Sequence, residues 1–235
     1  MSNICIIPAR SGSKGLKNKN IKQICGKPLL AYTIETAIQS NVFDCVMVST
    51  DSELYAKIAK DYGADVPFLR SSELSSDKAS SWDVVIDVLN KYASLGLTFD
   101  TIFLLQPTSP LRETKDLIES YSLYKAKKAK YVISVCETDH SPLWSNTLPQ
   151  DFSLNNFISE KTINLPRQSL PKYYRINGAI YIVDRDFLFK NKRIVFDNSG
   201  YAYVMEKDTS IDIDDSLDFE IARLLLKKKK RLKHN

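Results

Sequence analysis

The sequence predicts an α/β fold: a mainly parallel, Rossmann-like sheet with helices on both faces, carried in one domain over residues 1–235. Three observations predict it. Apolar runs of strand length, at residues 4–7, 45–48 and 101–105, recur with helical patterns between them. None of these runs alternates polar with apolar residues, so each strand is buried on both faces, as inside a parallel sheet. Each run also stops abruptly at a polar loop, and loops at the carboxyl ends of such strands are where open α/β sheets hold ligands.

The first run, Ile4-Cys5-Ile6-Ile7, meets Pro8 and Ala9 and gives way to a loop containing Arg10, Ser11, Gly12, Ser13, Lys14, Gly15, Lys17 and Lys19. Small residues let backbone close around a ligand, and cations neutralise it, so the loop suits a polyphosphate. By composition alone it suits a solvated surface loop equally well. Gly12-Ser13-Lys14-Gly15 supplies neither the order of a P-loop nor the three glycines of a dinucleotide fingerprint. Any phosphate held here is therefore held by lysine and arginine side chains rather than by amides alone.

Gly26-Lys27-Pro28 then punctuates the chain, and residues 29–40 carry a helical stripe of Leu30, Ile34, Ala37 and Ile38. The run at 45–48 ends at Ser49-Thr50-Asp51-Ser52, whose hydroxyls and carboxylate suit capping of a helix that reaches about Tyr62. Strand, helix, strand and helix at this spacing imply right-handed βαβ units. After Phe68-Leu69-Arg70 the polar residues 71–81 lack periodicity, so they form either a surface loop or part of a site. A helix over 82–92, with Ser80 or Ser81 as its cap, leads to the run at 101–105. That run stops at Gln106-Pro107-Thr108-Ser109-Pro110-Leu111-Arg112, where two prolines fix the loop and Gln106 can both donate and accept toward a base or sugar. A helix over 114–127 and a strand over 131–135 complete the repeat. Between 141 and 170, proline, asparagine and isolated aromatics replace the βα rhythm, giving an excursion that serves as a dimerisation arm or a lid. Strands follow at 177–183 and 201–205, then Ser210-Ile211-Asp212-Ile213-Asp214-Asp215 and a terminal helix from about Ser216.

In an extended segment Asp212 and Asp214 share one face and Ile211 and Ile213 the other, toward the core. Two carboxylates on one face repel unless a cation lies between them, and such oxygen donors suit Mg²⁺, which takes one or two carboxylates together with phosphate oxygens and water. Asp215 is free to cap the final helix. A cationic loop plus an acidic metal pair points to nucleoside triphosphate chemistry.

Composition bounds the rest. Apolar residues make up 43% of the 235 positions, enough to bury a full core. No run approaches 18 apolar residues, and Met1-Ser2-Asn3 leads straight into a strand, so the expectation is a cytoplasmic chain without membrane insertion. Cys5, Cys25, Cys45 and Cys136 form no C-x-x-C pair and are expected to be reduced, three of them as core residues. With only His140 and His234, histidine-based zinc sites and a Ser-His-Asp triad are poorly supported. The net charge of +5 comes from a basic tail over 227–235, since Lys227, Lys228, Lys229, Lys230, Arg231 and Lys233 alone outweigh it. No aromatic residues interleave with those charges, so the tail reads as the solvated end of a helix rather than a nucleic-acid site.

Taken together the motifs resemble the acylneuraminate cytidylyltransferase family, the CMP-sialic acid synthetases and their bacterial CMP-nonulosonate relatives. The matching pieces are 7–15, Lys19-Asn20, Gly26-Lys27-Pro28-Leu29, Val48-Ser49-Thr50-Asp51, 105–112, Asn177-Gly178-Ala179-Ile180-Tyr181 and 210–214, in family order over about residues 4–225. The resemblance implies a nucleotidyltransferase sheet and the reaction CTP + nonulosonic acid → CMP-sugar + pyrophosphate, with Mg²⁺ as cofactor and a homodimer whose excursion reaches the partner's site. It places Ala9, Arg10, Ser13, Lys14, Gly15, Lys19, Asn20, Arg70 and Ser81 on the nucleotide, and Gln106, Arg167, Asn177 and Tyr181 on the acidic nine-carbon sugar. Asp212 and Asp214 match the metal ligands, and Arg10, Lys19, Gln106, Asp212 and Asp214 make up the catalytic set. The general base is an aspartate of the metal pair or is replaced by metal-lowered acidity of the hydroxyl. Two departures bear on the acceptor: Trp144 follows His140-Ser141-Pro142-Leu143 where some relatives have a lysine, and Ile194-Val195 stands where some have a Phe-Phe pair. Legionaminic or pseudaminic acid is thus an alternative acceptor to N-acetylneuraminic acid. Kdo enzymes have a more Thr-Arg-rich first loop, and a non-catalytic nucleotide binder would not require both aspartates.

Overall fold

The computed structural model describes residues 2–13, 15–77 and 79–232. In chain order β1 (Asn3–Pro8) is followed by a short hairpin, β2 (Gln23–Ile24) and β3 (Lys27–Pro28), then α1 (Leu29–Gln39), β4 (Cys45–Ser49), α2 (Glu53–Asp61) and α3 (Ser81–Ser94). Next come β5 (Thr101–Leu104), α4 (Thr114–Ala126), β6 (Tyr131–Glu137), α5 (Glu160–Ile163), β7 (Tyr174–Asp184), α6 (Arg185–Asn191), β8 (Gly200–Val204) and α7 (Ser216–Leu232). The main sheet has the order β4-β1-β5-β7-β6-β8.

The expected apolar runs are β1 and β5 in the interior of the sheet and β4 at its edge. In β1, Cys5 and Ile7 enter one core with α1, α2 and α4, while Ile4 and Ile6 enter a second core with α3 and α6. Both faces are covered by helices, which is why the run shows no alternation. The strands β4, β1 and β5 are parallel, as the βαβ spacing requires, and β6 and β8 are parallel to each other. The sheet departs from the parallel expectation at β7, which lies antiparallel between β5 and β6. The reason is local: Glu137 pairs with Tyr174, so β6 and β7 form a hairpin whose connection is the excursion, and a hairpin return is antiparallel. Its register shifts between Ile133, opposite Tyr181, and Val135, opposite Ile176, so β7 buckles over residues 177–180.

A third small core joins Ile24, Leu29, Leu111, Ile213, Phe219, Ala222 and Leu226. It binds α7 and residues 211–215 to the rest of the domain. Ile213 is wholly buried, a contribution of roughly 1.5–3 kcal/mol that anchors the aspartates on either side of it. Ile211 is only half-buried and 211–215 is not a strand, so the expected extended alternation is only partly realised. The tail is less solvated than the charge run suggested, because Lys229 donates to Glu113 at 2.7 Å and Lys230 to the Cys25 carbonyl at 2.8 Å. The excursion exposes Leu148, Phe152, Leu154 and Ile163. All four cysteines are free thiols. Among the described residues no helix is long and apolar enough to cross a membrane.

Candidate active site

The carboxyl ends of β1 and β5 open onto a cleft of about 600 Å³. The chain leaves β1 toward β4 on one side and later reaches β5 on the other, so the cleft lies at a topological switch point. The cleft is lined by Arg10, Ser13, Gly15, Lys19 and Asn20 of the first loop, by Arg70, Ser76, Asp77 and Ser81, by Gln106, Pro107 and Thr108, and by Asp212 and Asp214.

The first loop is tied to the end of β4 by Asp51. One oxygen of Asp51 accepts the Ser11 N–H and the other the Ser11 hydroxyl, both at 2.8 Å. Burial raises the Asp51 pKa, but the two Ser11 bonds, its own backbone N–H and Arg70 together outweigh this and hold it below its ordinary value. Asp51 therefore serves the loop, and Ser52 alone caps α2 by accepting from Tyr55 N–H. Asn20 donates to the Arg10 carbonyl at 3.1 Å, while its own Oδ1 is buried without a partner. The Arg10 guanidinium lies 2.6 Å from Asp77, so the polar stretch at 71–81 supplies a counter-charge to the loop. Arg70 is buried against Ser49, bonding both its hydroxyl and its carbonyl, and burial pushes its pKa down to about 10.

The acidic side is tied to the cationic one through backbone. Lys19 Nζ donates to the Ile213 carbonyl at 2.6 Å and lies 3.5 Å from Asp214. Ile213 N–H donates to the Thr108 carbonyl at 2.9 Å. A Cβ on Gly15 would lie 2.5 Å from the Asp214 carbonyl oxygen, so only glycine permits this approach. Asp212 is partly buried, and its pKa is raised first by burial and then by Asp214, with Thr108, Lys19 and Arg175 opposing. The buckle in β7 brings Gly178, at φ +75°, beneath the same point: a Cβ there would lie 2.6 Å from Gln106 Oε1 and 3.3 Å from Asp212 Oδ2. The Gln106 amide and the Asp212 carboxylate thus converge above a bare Cα.

Several expected site residues are placed elsewhere. Ala9 is core, and its N–H is used by the Ser49 carbonyl at 2.9 Å. Asn177 is buried with its amide committed: Oδ1 accepts from Ser134 Oγ and Ala179 N–H, and Nδ2 donates to Ser210 Oγ. It holds the β7 buckle instead of facing the cleft. Arg167 lies in a separate depression with Glu137, Asp139 and Lys172 and donates to the Asp139 carbonyl. Tyr181 packs edge-on against Trp82 at 5.9 Å, with its pKa raised by burial and by Asp212. Ser81, by contrast, does line the cleft, from the first position of α3, while Ser80 is the cap of that helix. Lys14 lies outside the described residues. Sequence reasoning missed Asp77, Thr108 and the role of Gly178. The polar stretch carried a signal for the first, and the second and third lay inside motifs already singled out.

Among the described residues no group of three or more His, Cys, Asp or Glu is placed to hold a metal. The donor set nonetheless fits Mg²⁺: two carboxylates line the cleft, and Asp212 Oδ1 is buried without a hydrogen-bond partner. Mg²⁺ completes its shell from phosphate and water when the protein supplies only one or two carboxylates.

Residues 4–231 match the family model described as cytidylyltransferase. The chain is 43% identical over 231 residues to N-acylneuraminate cytidylyltransferase of Escherichia coli O18:K1:H7, covering 98% of this chain and 53% of that protein. It is 34% identical over 229 residues to CMP-N,N'-diacetyllegionaminic acid synthase of Legionella pneumophila, with 95% of each covered. The chain therefore spans about half the length of the first relative and nearly all of the second. Among solved structures it resembles CMP:2-keto-3-deoxy-manno-octonic acid synthetase complexed with CTP, at TM-score 0.74 and 18% identity over 97% of this chain and 100% of that one, a likeness of fold.

Proposed function

The chain belongs to the cytidylyltransferase family, and on that premise we propose that it activates a nonulosonic acid, converting CTP and the sugar acid to a CMP-sugar and pyrophosphate. The observation that carries this reading is the convergence of Gln106 and Asp212 over Gly178, in a cleft lined also by Arg10, Lys19 and Asn20. A triphosphate needs the cations, and the acceptor hydroxyl needs polar groups beside the α-phosphorus.

In this reading Arg10 exchanges Asp77 for phosphate oxygens, and Lys19 stays on the Ile213 carbonyl while facing the same anion. The anomeric hydroxyl, oriented by the Gln106 amide, gives its proton to an aspartate of the Asp212 and Asp214 pair and attacks the α-phosphorus; the new O–P bond forms as the bond to pyrophosphate breaks. The fixed cations stabilise the charge gained by the leaving group without reorganising. Asp212 and Asp214 would hold Mg²⁺. When bound, the ion supplies further neutralisation of the phosphate oxygens. No covalent enzyme intermediate is required.

The exposed apolar residues of the excursion support a homodimer in which Arg167 of one copy serves the sugar end of the other's cleft. Work on a cytosolic sugar nucleotide for surface glycans is the biological setting this reading proposes. The test is pyrophosphate release with CTP and Mg²⁺ against N-acetylneuraminic, legionaminic, pseudaminic and Kdo acids. Turnover with one of the first three is expected. CTP binding without turnover of any would sink the acceptor assignment.

A further inference from the structure

Arg112 ends the Gln-Pro-Thr-Ser-Pro-Leu-Arg run, and the reaction as drawn gives it no part. It is only 3% exposed, and among the described residues it has no ion-pair partner. Its guanidinium is held by three neutral oxygens: NH1 donates to the carbonyls of Ala179 at 2.7 Å and Gln106 at 3.3 Å, and NH2 to the Thr33 hydroxyl at 2.6 Å. Nε has no partner. A buried cation held by neutral oxygens is costly, and burial pushes its pKa down to about 10, with Cys5 and Asp116 opposing. A core filler would be apolar, so the charge and its fork call for another explanation.

The strand register supplies one. β5 pairs with β7 up to Leu104 opposite Tyr181. Two places further, where the ladder opens into the cleft, Gln106 and Ala179 would face each other. Gly178, beside Ala179, is the residue whose bare Cα meets the Gln106 amide and Asp212. Arg112 joins the two carbonyls at this opening, and through Thr33 it fixes both to α1. One planar donor fork holds two carbonyls and a hydroxyl in a fixed plane, a geometry that the flexible stem and rotating donors of a lysine do not pre-organise.

We infer that Arg112 is a positioning residue for the transfer step, stapling the Gln106 and Ala179 carbonyls so that the Gln106 side chain stays registered against Asp212. The inference rests on the proposed reaction for its kinetic arm and on geometry for its other arm.

The experiment compares R112K, which keeps the charge but loses the fork, with R112M, which loses both, and with Q106A. R112K is expected to fold, to keep the KM for CTP within about threefold, and to lose kcat by about 10- to 100-fold, since a misplacement near 1 Å costs that much. Because both residues act through one amide, the losses of R112K and Q106A are expected not to multiply in the double variant. The Gln106 side-chain amide resonance, assigned by its absence in Q106A, is expected to shift in R112K whether or not an acceptor sugar is known. An unshifted resonance, multiplicative losses, or a fall in thermal stability with kcat intact would each overturn the inference. A wild-type protein inert toward every nonulosonic acid would refute the proposed reaction alone, with the resonance still deciding the staple. If R112M fails to fold, R112K decides the outcome.

Discussion

Gly178→Ala is the sharpest test of the site geometry. Position 178 has φ +75°, a left-handed conformation that costs an alanine about 1–2 kcal/mol. For a chain of this size that lowers Tm by about 2–8 °C. The added Cβ would also lie 2.6 Å from Gln106 Oε1, against an ordinary contact of 3.4 Å. The amide must therefore retreat by about 0.8 Å, because a packed wall cannot absorb the overlap elsewhere. At that displacement turnover is expected to fall by about 10- to 100-fold. Gly96→Ala is the matched control: its φ is +79°, but nothing lies within 4 Å of its Cβ position. Thermal unfolding should show similar losses for both variants, while pyrophosphate release should fall only for G178A. If the two variants lose turnover equally, the cradle formed by Gly178, Gln106 and Asp212 is not what positions the acceptor.

Three further outcomes are expected. Asp212→Asn removes a carboxylate whose pKa is raised by burial and by Asp214. Wild type loses stability as pH rises above the usual carboxylate value, so D212N should match or exceed its Tm at pH 7 while losing turnover about 100-fold and any thermal shift with Mg²⁺. A D212N protein that keeps its Mg²⁺ shift would remove Asp212 from the metal assignment. Asp51→Asn should loosen the first loop: the Asp51 pKa lies below its ordinary 3.8, so its stabilisation is present above that value and fades as pH falls through the lowered one. The Tm gap between wild type and D51N should therefore close in acid, and a gap independent of pH would contradict the Ser11 assignment. Truncation after Leu226 removes the Lys229 contact that chiefly lowers the Glu113 pKa. The loss from this half-buried pair should be about 1 kcal/mol, with turnover unchanged, and a truncated protein without turnover would give the tail a role in the site.

The residues alone determined the strands, the helices on both faces and the loops that line the cleft. Burial on both faces leaves a contiguous apolar signature, and Gly, Pro and charge mark where it stops. The alignment of Arg10, Lys19, Gln106, Asp212 and Asp214 on one cleft follows from that order, because parallel strands present their carboxyl ends on one edge. Only the tertiary structure decided strand direction at β7, since a buried run reads the same either way and the hairpin through the excursion sets the return. Nor could local pattern show that Asn177 is spent on Ser134 and Ser210, that Asp51 holds Ser11 rather than a helix, or that Arg167 lies outside its own chain's cleft. Hydrogen-bond partners at such separations are chosen by how the elements pack. Arg112 shows the same division: its place in a motif is visible in the chain, but the two carbonyls it joins become neighbours only once β5 and β7 are paired.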